Sequence, residues 1–215
     1  VWGADHHGYI KRIEATIEAL GYSKTKMQVQ LVQFANLFEN GSKVKMSTRS
    51  GNFYTLKQLI DDIGPDASRF YYLSKQADQH LDFDIGVARS SSKDNLYYYV
   101  QYAHARICSV EKKYIELGLS LPKKFNNDNF EGCDELLQMA LNAQFVIKNS
   151  GESLQPHIIV YYLRDIAQNF HQFYNSVNIL KAKSEQKNIM RTLIIVKAVI
   201  ASSLELLGIK PLEKM

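Results

Sequence analysis

The sequence predicts a mainly α-helical protein: a short α/β segment, a helical connector, and an all-α bundle that takes up more than half of the chain. Three observations predict it. Strand-like alternation of apolar and polar residues occurs once, at Met27–Val32. A helix-opening signature, Thr55-Leu-Lys-Gln58, follows it. From Asp94 onward every apolar pattern repeats with the helical period.

Taken in order, Ile10, Ile13, Ile17 and Leu20 recur at helical spacing over Tyr9–Leu20, and Gly21 is placed to end that helix. Met27, Val29 and Leu31 alternate with Gln28 and Gln30, and Val32 extends the run, which predicts a strand. Glu39-Asn-Gly-Ser42 predicts a tight hairpin turn, because Asn-Gly adopts positive φ readily. Thr55 and Gln58 form a capping-box pattern before Leu56, Leu59, Ile60 and Ile63, and Gly64-Pro65 ends one helix and starts the next. Asp82, Asp84 and Gly86 are expected to interrupt. Long helices are expected at about 94–117, 131–148, 155–179 and 184–207, with Gly118 and Gly208 closing the first and last. Ile159, Leu163, Ile166, Phe170 and Phe173 make one core-facing stripe; Ile189, Leu193, Val196, Ile200, Leu204 and Leu207 make another. A segment with one confident strand cannot close a sheet, and the chain starts without Met, so it is expected to be part of a longer protein.

Composition narrows the classes. The 215 residues are 46% hydrophobic and 22% charged with four prolines, which excludes wholesale disorder and linker-rich architectures. The most apolar stretch, Thr192–Leu207, contains Lys197 and Glu205 and is too polar for a membrane span. Cys108 and Cys133 cannot build a disulfide framework, and no signal-peptide pattern opens the chain, so a reducing cytoplasm is expected. Net charge is +4, which permits a polyanionic partner without demanding one.

Three segments could carry chemistry. Lys43–Asn52 packs three cations and three hydroxyls into a loop after the hairpin, where Lys45 and Arg49 could neutralise phosphate and Ser47 could donate to it. A solvated basic loop is the competing explanation. Trp2-Gly-Ala-Asp-His-His-Gly8 places Gly3, Asp5 and His6 at a strand end, which suits a ribose site at the edge of an open α/β sheet. A metal site there is disfavoured, because adjacent histidines on a strand point to opposite faces. In Asn95–Arg106, Tyr99, Tyr102 and Arg106 fall within about 60° of one another on a helix, a stacking platform for unpaired bases. Tyrosines lining a bundle core are the alternative. His80, His104, His157 and His171 have no partners at ligand spacing and are expected to be structural or surface residues.

These segments in this order resemble the C-terminal half of arginyl-tRNA synthetase, a class I aminoacyl-tRNA synthetase. The resemblance runs through Trp-Gly-Ala-Asp-His-His-Gly8, Lys45-Met-Ser-Thr-Arg-Ser-Gly-Asn-Phe53, Leu81-Asp-Phe-Asp84, Tyr99-Val-Gln-Tyr-Ala-His-Ala-Arg106 and Leu206-Leu-Gly-Ile-Lys-Pro-Leu-Glu-Lys-Met215. It implies that residues 1–52 are the C-terminal part of a Rossmann catalytic domain, 53–93 a helical connector contacting the tRNA stem, and 94–215 a helical anticodon-binding domain. It further implies that Lys45, Ser47 and Arg49 belong to the family's mobile signature loop, which steadies the pyrophosphate of ATP while the arginine carboxylate attacks the α-phosphate. ATP, with Mg2+, enters as substrate rather than as a resident group. Gly3, Asp5 and His6, with Lys45 and Met46, would border ATP; Tyr99, Tyr102, Arg106 and Met215 would face the anticodon of tRNA(Arg). No bound prosthetic group, metal, membrane or DNA partner is implied. Thr48 stands where the class consensus has a second lysine, so Lys45, Arg49 or a cation outside the chain must do more. The His-x-Gly-His element of the class is absent, and the L-arginine pocket would lie mostly upstream; these 215 residues alone are expected not to complete activation. A stand-alone tRNA-binding module, or another class I ligase such as the cysteine enzyme, are the alternatives.

Overall fold

The strand run expected from Met27 pairs only at its end: Trp2–Gly3 (β1) lies parallel to Leu31–Val32 (β2), with Trp2 opposite Leu31. The computed structural model describes residues 1–39, 41–44, 54–125, 133–177, 179 and 186–215. A strand needs a ladder, and β1 offers two residues, so Met27–Gln30 stays outside it although the Trp2 N–H donates to the Gln30 carbonyl at 2.9 Å. Between β1 and β2 runs α1 (Ile10–Ala19), ended as expected at Gly21, whose φ of 83° needs a residue without a Cβ.

A second sheet corrects the expectation of a single strand. Ala35–Glu39 (β3) pairs antiparallel with Ser42–Lys43 (β4) across the anticipated turn, Glu39 opposite Ser42. On its other side β3 pairs parallel with Leu81–Asp84 (β5). The segment expected to interrupt is therefore a strand: Leu81 and Phe83 are buried while Asp82 and Asp84 alternate outward. Both carboxylates are used locally. Asp82 accepts from the Asn36 amide at 2.8 Å. Asp84 accepts from the backbone of Gly86, opening α4 (Ile85–Arg89), and from Gly41 in the hairpin turn, each at 2.8 Å. Across this sheet lie α2 (Leu56–Ile63), begun by the full capping box, and α3 (Pro65–Tyr72); Leu37, Leu59, Leu81, Phe83, Ile85 and Ala88 form the shared core.

The bundle follows. α5 (Leu96–Glu116), α8 (His157–Ser176) and α9 (Gln186–Leu206) match the expected helices, and both expected stripes are buried. The helix expected at 131–148 is two: α6 (Asp134–Leu141) and α7 (Ala143–Ser153), which meet at Asn142. α6 packs on both α8 and α9 and α7 on α8, so the offset lets one stretch of chain cover two neighbours. No helix among the described residues is long and apolar enough to cross a membrane.

Sheet unit and bundle are joined at buried Asn95. Its side chain caps α5 by accepting from the Tyr98 N–H at 3.0 Å, accepts the Tyr71 hydroxyl at 2.9 Å, and donates to the carbonyls of Ala88 and Ser90. Burial pushes the Tyr71 hydroxyl up to about 12, which keeps it a donor at any physiological pH. Asn95→Ala strips a cap and strands the two carbonyls and the hydroxyl together. It is expected to cost about 1–3 kcal/mol in urea denaturation, with Asn95→Asp recovering only the acceptor half.

Candidate nucleic-acid interface

α5 displays three faces. Val100, Ala103, Ile107 and Val110 point into the bundle core. Gln101 and His104 turn to the C-terminal tail: the Gln101 amide donates to the Lys210 carbonyl and accepts from the Leu212 N–H, both at 2.9 Å, and His104 Nδ1–H donates to the Leu212 carbonyl at 2.8 Å. About 100–160° round the helix from Gln101 and His104, at 100° per residue, stand Tyr99, Tyr102 and Arg106, all half-buried.

These three line one open pocket of about 630 Å³ between α5 and α8. Tyr98 and Tyr102 stack with ring centres 6.0 Å apart and 15° between planes. Tyr102 stacks in turn on His171 of α8 at 5.7 Å and 26°. Arg106 donates to the Tyr102 hydroxyl at 2.7 Å, and its guanidinium carbon lies 4.5 Å from the Tyr102 ring centre and 4.4 Å from that of Tyr174. Lys93 and Arg106 bring two cations to the rim, and among the described residues no carboxylate lines it. Tyr99 also packs against the core edge and its hydroxyl is raised by burial, so the core-lining alternative describes part of this residue. An open pocket walled by stacked rings and cations can hold an unpaired base on its rings and an anion at its edge.

His171 was missed as a site residue by sequence reasoning, and so was Tyr174. The available signal was the spacing Gln168, His171, Gln172, Asn175, one polar edge flanking the apolar stripe of α8.

At the other end of the chain, Gly3 closes β1 and residues Ala4–Tyr9 form a 3-10 turn, with Gly3, Asp5 and His6 adjacent and accessible. A Cβ on Gly3 would stand 2.5 Å from Asp5 Oδ1, so the carboxylate folds back over the glycine. His6 Nε2 is 3.7 Å from Asp5 Oδ2. His6 joins Trp2, Tyr9 and Ile13 around a shallow hollow, whereas His7 lines a different groove with Ile10. The two histidines diverge, and among the described residues no three metal-ligating side chains converge. Lys45, Met46, Ser47 and Arg49 lie outside the described residues; the chain leaves at Val44, whose N–H donates to the Leu37 carbonyl at 2.8 Å, and re-enters at Tyr54. Met215 is half exposed and is not among the residues lining the pocket between α5 and α8; the tail that carries it is held on the far side of α5.

Residues 100–215 match the DALR anticodon binding domain. Over its full length the chain is 41% identical to arginine–tRNA ligases of Legionella pneumophila and of Halorhodospira halophila. It spans 38% of the length of each. A Campylobacter jejuni structure assigned as an arginyl-tRNA synthetase superposes on the whole chain with a TM-score of 0.88 at 34% identity, the chain covering 47% of it. Thermus thermophilus arginyl-tRNA synthetase superposes with a TM-score of 0.75 at 18% identity, a likeness of fold, the chain covering 40% of it. The chain belongs to the DALR anticodon binding domain family, and its relatives along its whole length are arginine–tRNA ligases.

Proposed function

We propose that this chain is the part of an arginine–tRNA ligase that completes the ATP site and reads the anticodon loop of tRNA(Arg). The division of labour is 1–52 for the catalytic remnant with its signature loop, 53–93 for the connector and 94–215 for anticodon binding. The pocket walled by Tyr98, Tyr99, Tyr102, Arg106 and His171 carries the reading, because it joins stacking surface to positive charge and, among the described residues, no acidic side chain lines it. Gly3, Asp5 and His6 border the ribose of ATP at the carboxyl end of β1, and Lys45, Met46, Ser47 and Arg49 meet its phosphates with Mg2+. The arginine pocket is contributed mostly from outside these residues. Met215 approaches the anticodon only through the last residues of the tail. A cytoplasmic setting goes with this activity.

Titrating a labelled arginine anticodon stem-loop tests the platform. Stacking is worth about 1–3 kcal/mol per base, so Tyr102→Ala should weaken binding roughly ten- to a hundredfold with the helical circular dichroism retained. Tyr102→Phe should cost less, since the ring persists and only the acceptor for Arg106 goes. Two rings already lie against the Arg106 guanidinium, so its N–H edge rather than its face is left for the ligand. Arg106→Ala should therefore lower the slope of log affinity against log salt by about one. Equal affinity for the wild type and a folded Tyr102→Ala variant would remove the platform.

A further inference from the structure

Resting on the role proposed for the loop, we infer that Arg89 is a positioning residue for adenylate formation: its guanidinium ties together the two chain segments, ending at Val44 and resuming at Tyr54, between which Lys45 and Arg49 are carried. Arg89 is the last residue of α4, whose Ile85 and Ala88 are buried in the core of the small sheet, so its backbone has a fixed place. One arm of the guanidinium, Nη1, donates to Glu39 Oε1 at 2.9 Å; the other, Nη2, donates to Asp62 Oδ2 at 2.5 Å. Glu39 ends β3 and stands on the side where the chain enters the loop. On the side where it returns, the Tyr54 hydroxyl donates to the same Asp62 oxygen. Glu39, Arg89, Asp62 and Tyr54 thus make one continuous run of hydrogen bonds from entry to exit.

α4 grips the entry at a second point, since Asp84, which caps it, accepts from the Gly41 N–H at 2.8 Å. Val44 and Tyr54 both pack against the core of the small sheet, so the two ends lean on the same support. The run of bonds is not there to hold the fold up. The Arg89 and Glu39 side chains are 41% and 52% exposed, and exposed ion pairs add little to global stability. A planar fork that engages one carboxylate on β3 and another on α2 instead fixes how those two elements stand to each other. Fixing both ends of a chain segment removes in advance part of the entropy that must be lost when its cations meet the phosphates.

Stopped-flow measurement of adenylate formation in the full-length ligase that carries these residues tests this. Arg89→Met, which keeps an unbranched side chain and removes the fork, should slow the step roughly tenfold, short of the hundredfold that about 1 Å of misplacement can cost. Tyr54→Phe should slow it in the same way but by less, and neither should change arginine affinity or the melting temperature. The deciding comparison is made in a background that already holds Lys45→Ala and Arg49→Ala. There Arg89→Met should slow the step by less than about twofold, because its effect passes through the cations it positions. An unchanged rate for Arg89→Met, with Lys45→Ala slow, overturns the tie and leaves the role of the loop standing. A tenfold loss that persists when both loop cations are gone overturns it too. If Lys45→Ala and Arg49→Ala themselves form adenylate at the unsubstituted rate, the role of the loop falls and the tie with it. If Arg89→Met melts early, the same two comparisons with Tyr54→Phe, which removes a single hydroxyl, decide the matter.

Discussion

Phe70→Ala is expected to destabilise the folded chain by about 3–5 kcal/mol, more than any other single truncation in the connector. Phe70 sits on α3, yet its ring is fully buried in the bundle core rather than in the core of the small sheet. It meets Tyr71 edge-on at 6.1 Å and Tyr97 at 5.7 Å. The walls of the resulting cavity cannot close in, because α3 is tied to its neighbours on both sides of the ring. Tyr71 bonds Asn95 at the start of α5, and Asp66 accepts the Lys210 N–H at 3.1 Å from the tail. Gly208 lies so close to Arg69 of α3 that a Cβ there would stand 2.9 Å from its guanidinium. Urea denaturation followed by far-ultraviolet circular dichroism checks the value, with Phe70→Leu as a volume-keeping control expected to lose no more than about 1.5 kcal/mol. An unchanged midpoint for the alanine variant would mean that α3 only leans on the bundle and that the connector moves apart from it.

What the residues disclosed, and what they withheld, follows from the range of the interactions. Capping and periodicity are local, so Thr55 with Gln58, the stripe from Ile159 to Phe173 and the ends at Gly21, Gly118 and Gly208 were legible in the sequence. β5 was hidden because Asp82 and Asp84 read as turn residues; their partners, Asn36 and Gly41, lie more than forty positions away. The alternation Leu81, Phe83 against Asp82, Asp84 was nonetheless a period of two, and it was passed over for the charges. The break at Asn142 was invisible because no proline or glycine marks it; it answers to the different neighbours that α6 and α7 cover. In the pocket, the tyrosine–arginine stripe was found because it lies on one helix, and the structure brings those three together. His171 and Tyr174 come from a helix seventy residues on, where a histidine beside Phe170 reads as core. Asn95 looked like an ordinary cap; its role as the joint between sheet unit and bundle depends on Tyr71, Ala88 and Ser90, which no spacing announces.

Removing the Lys45 ammonium is expected to slow arginine activation by about 2–4 kcal/mol of barrier, roughly 30- to 1,000-fold, with little effect on arginine affinity. The expectation rests on the proposed role of the loop that begins where β4 ends, beside Val44. Negative charge grows on the departing pyrophosphate during adenylate formation, so a cation aimed there gains most in the transition state and the loss belongs in the rate constant. Thr48 carries no charge where the class pattern has a lysine, which leaves Lys45 and Arg49 as the loop's cations. Arg49→Ala should therefore fall in the same range, and the double variant should lose less than the sum, because both act on one group of phosphate oxygens. A chimeric ligase in which these 215 residues replace the matching segment of the Legionella pneumophila enzyme, 41% identical throughout, provides the upstream half of the site. Stopped-flow measurement of adenylate formation at saturating ATP separates the rate from binding. Lys45→Ala and Arg49→Ala chimeras that both form adenylate as fast as the unsubstituted chimera would refute the role given to the loop.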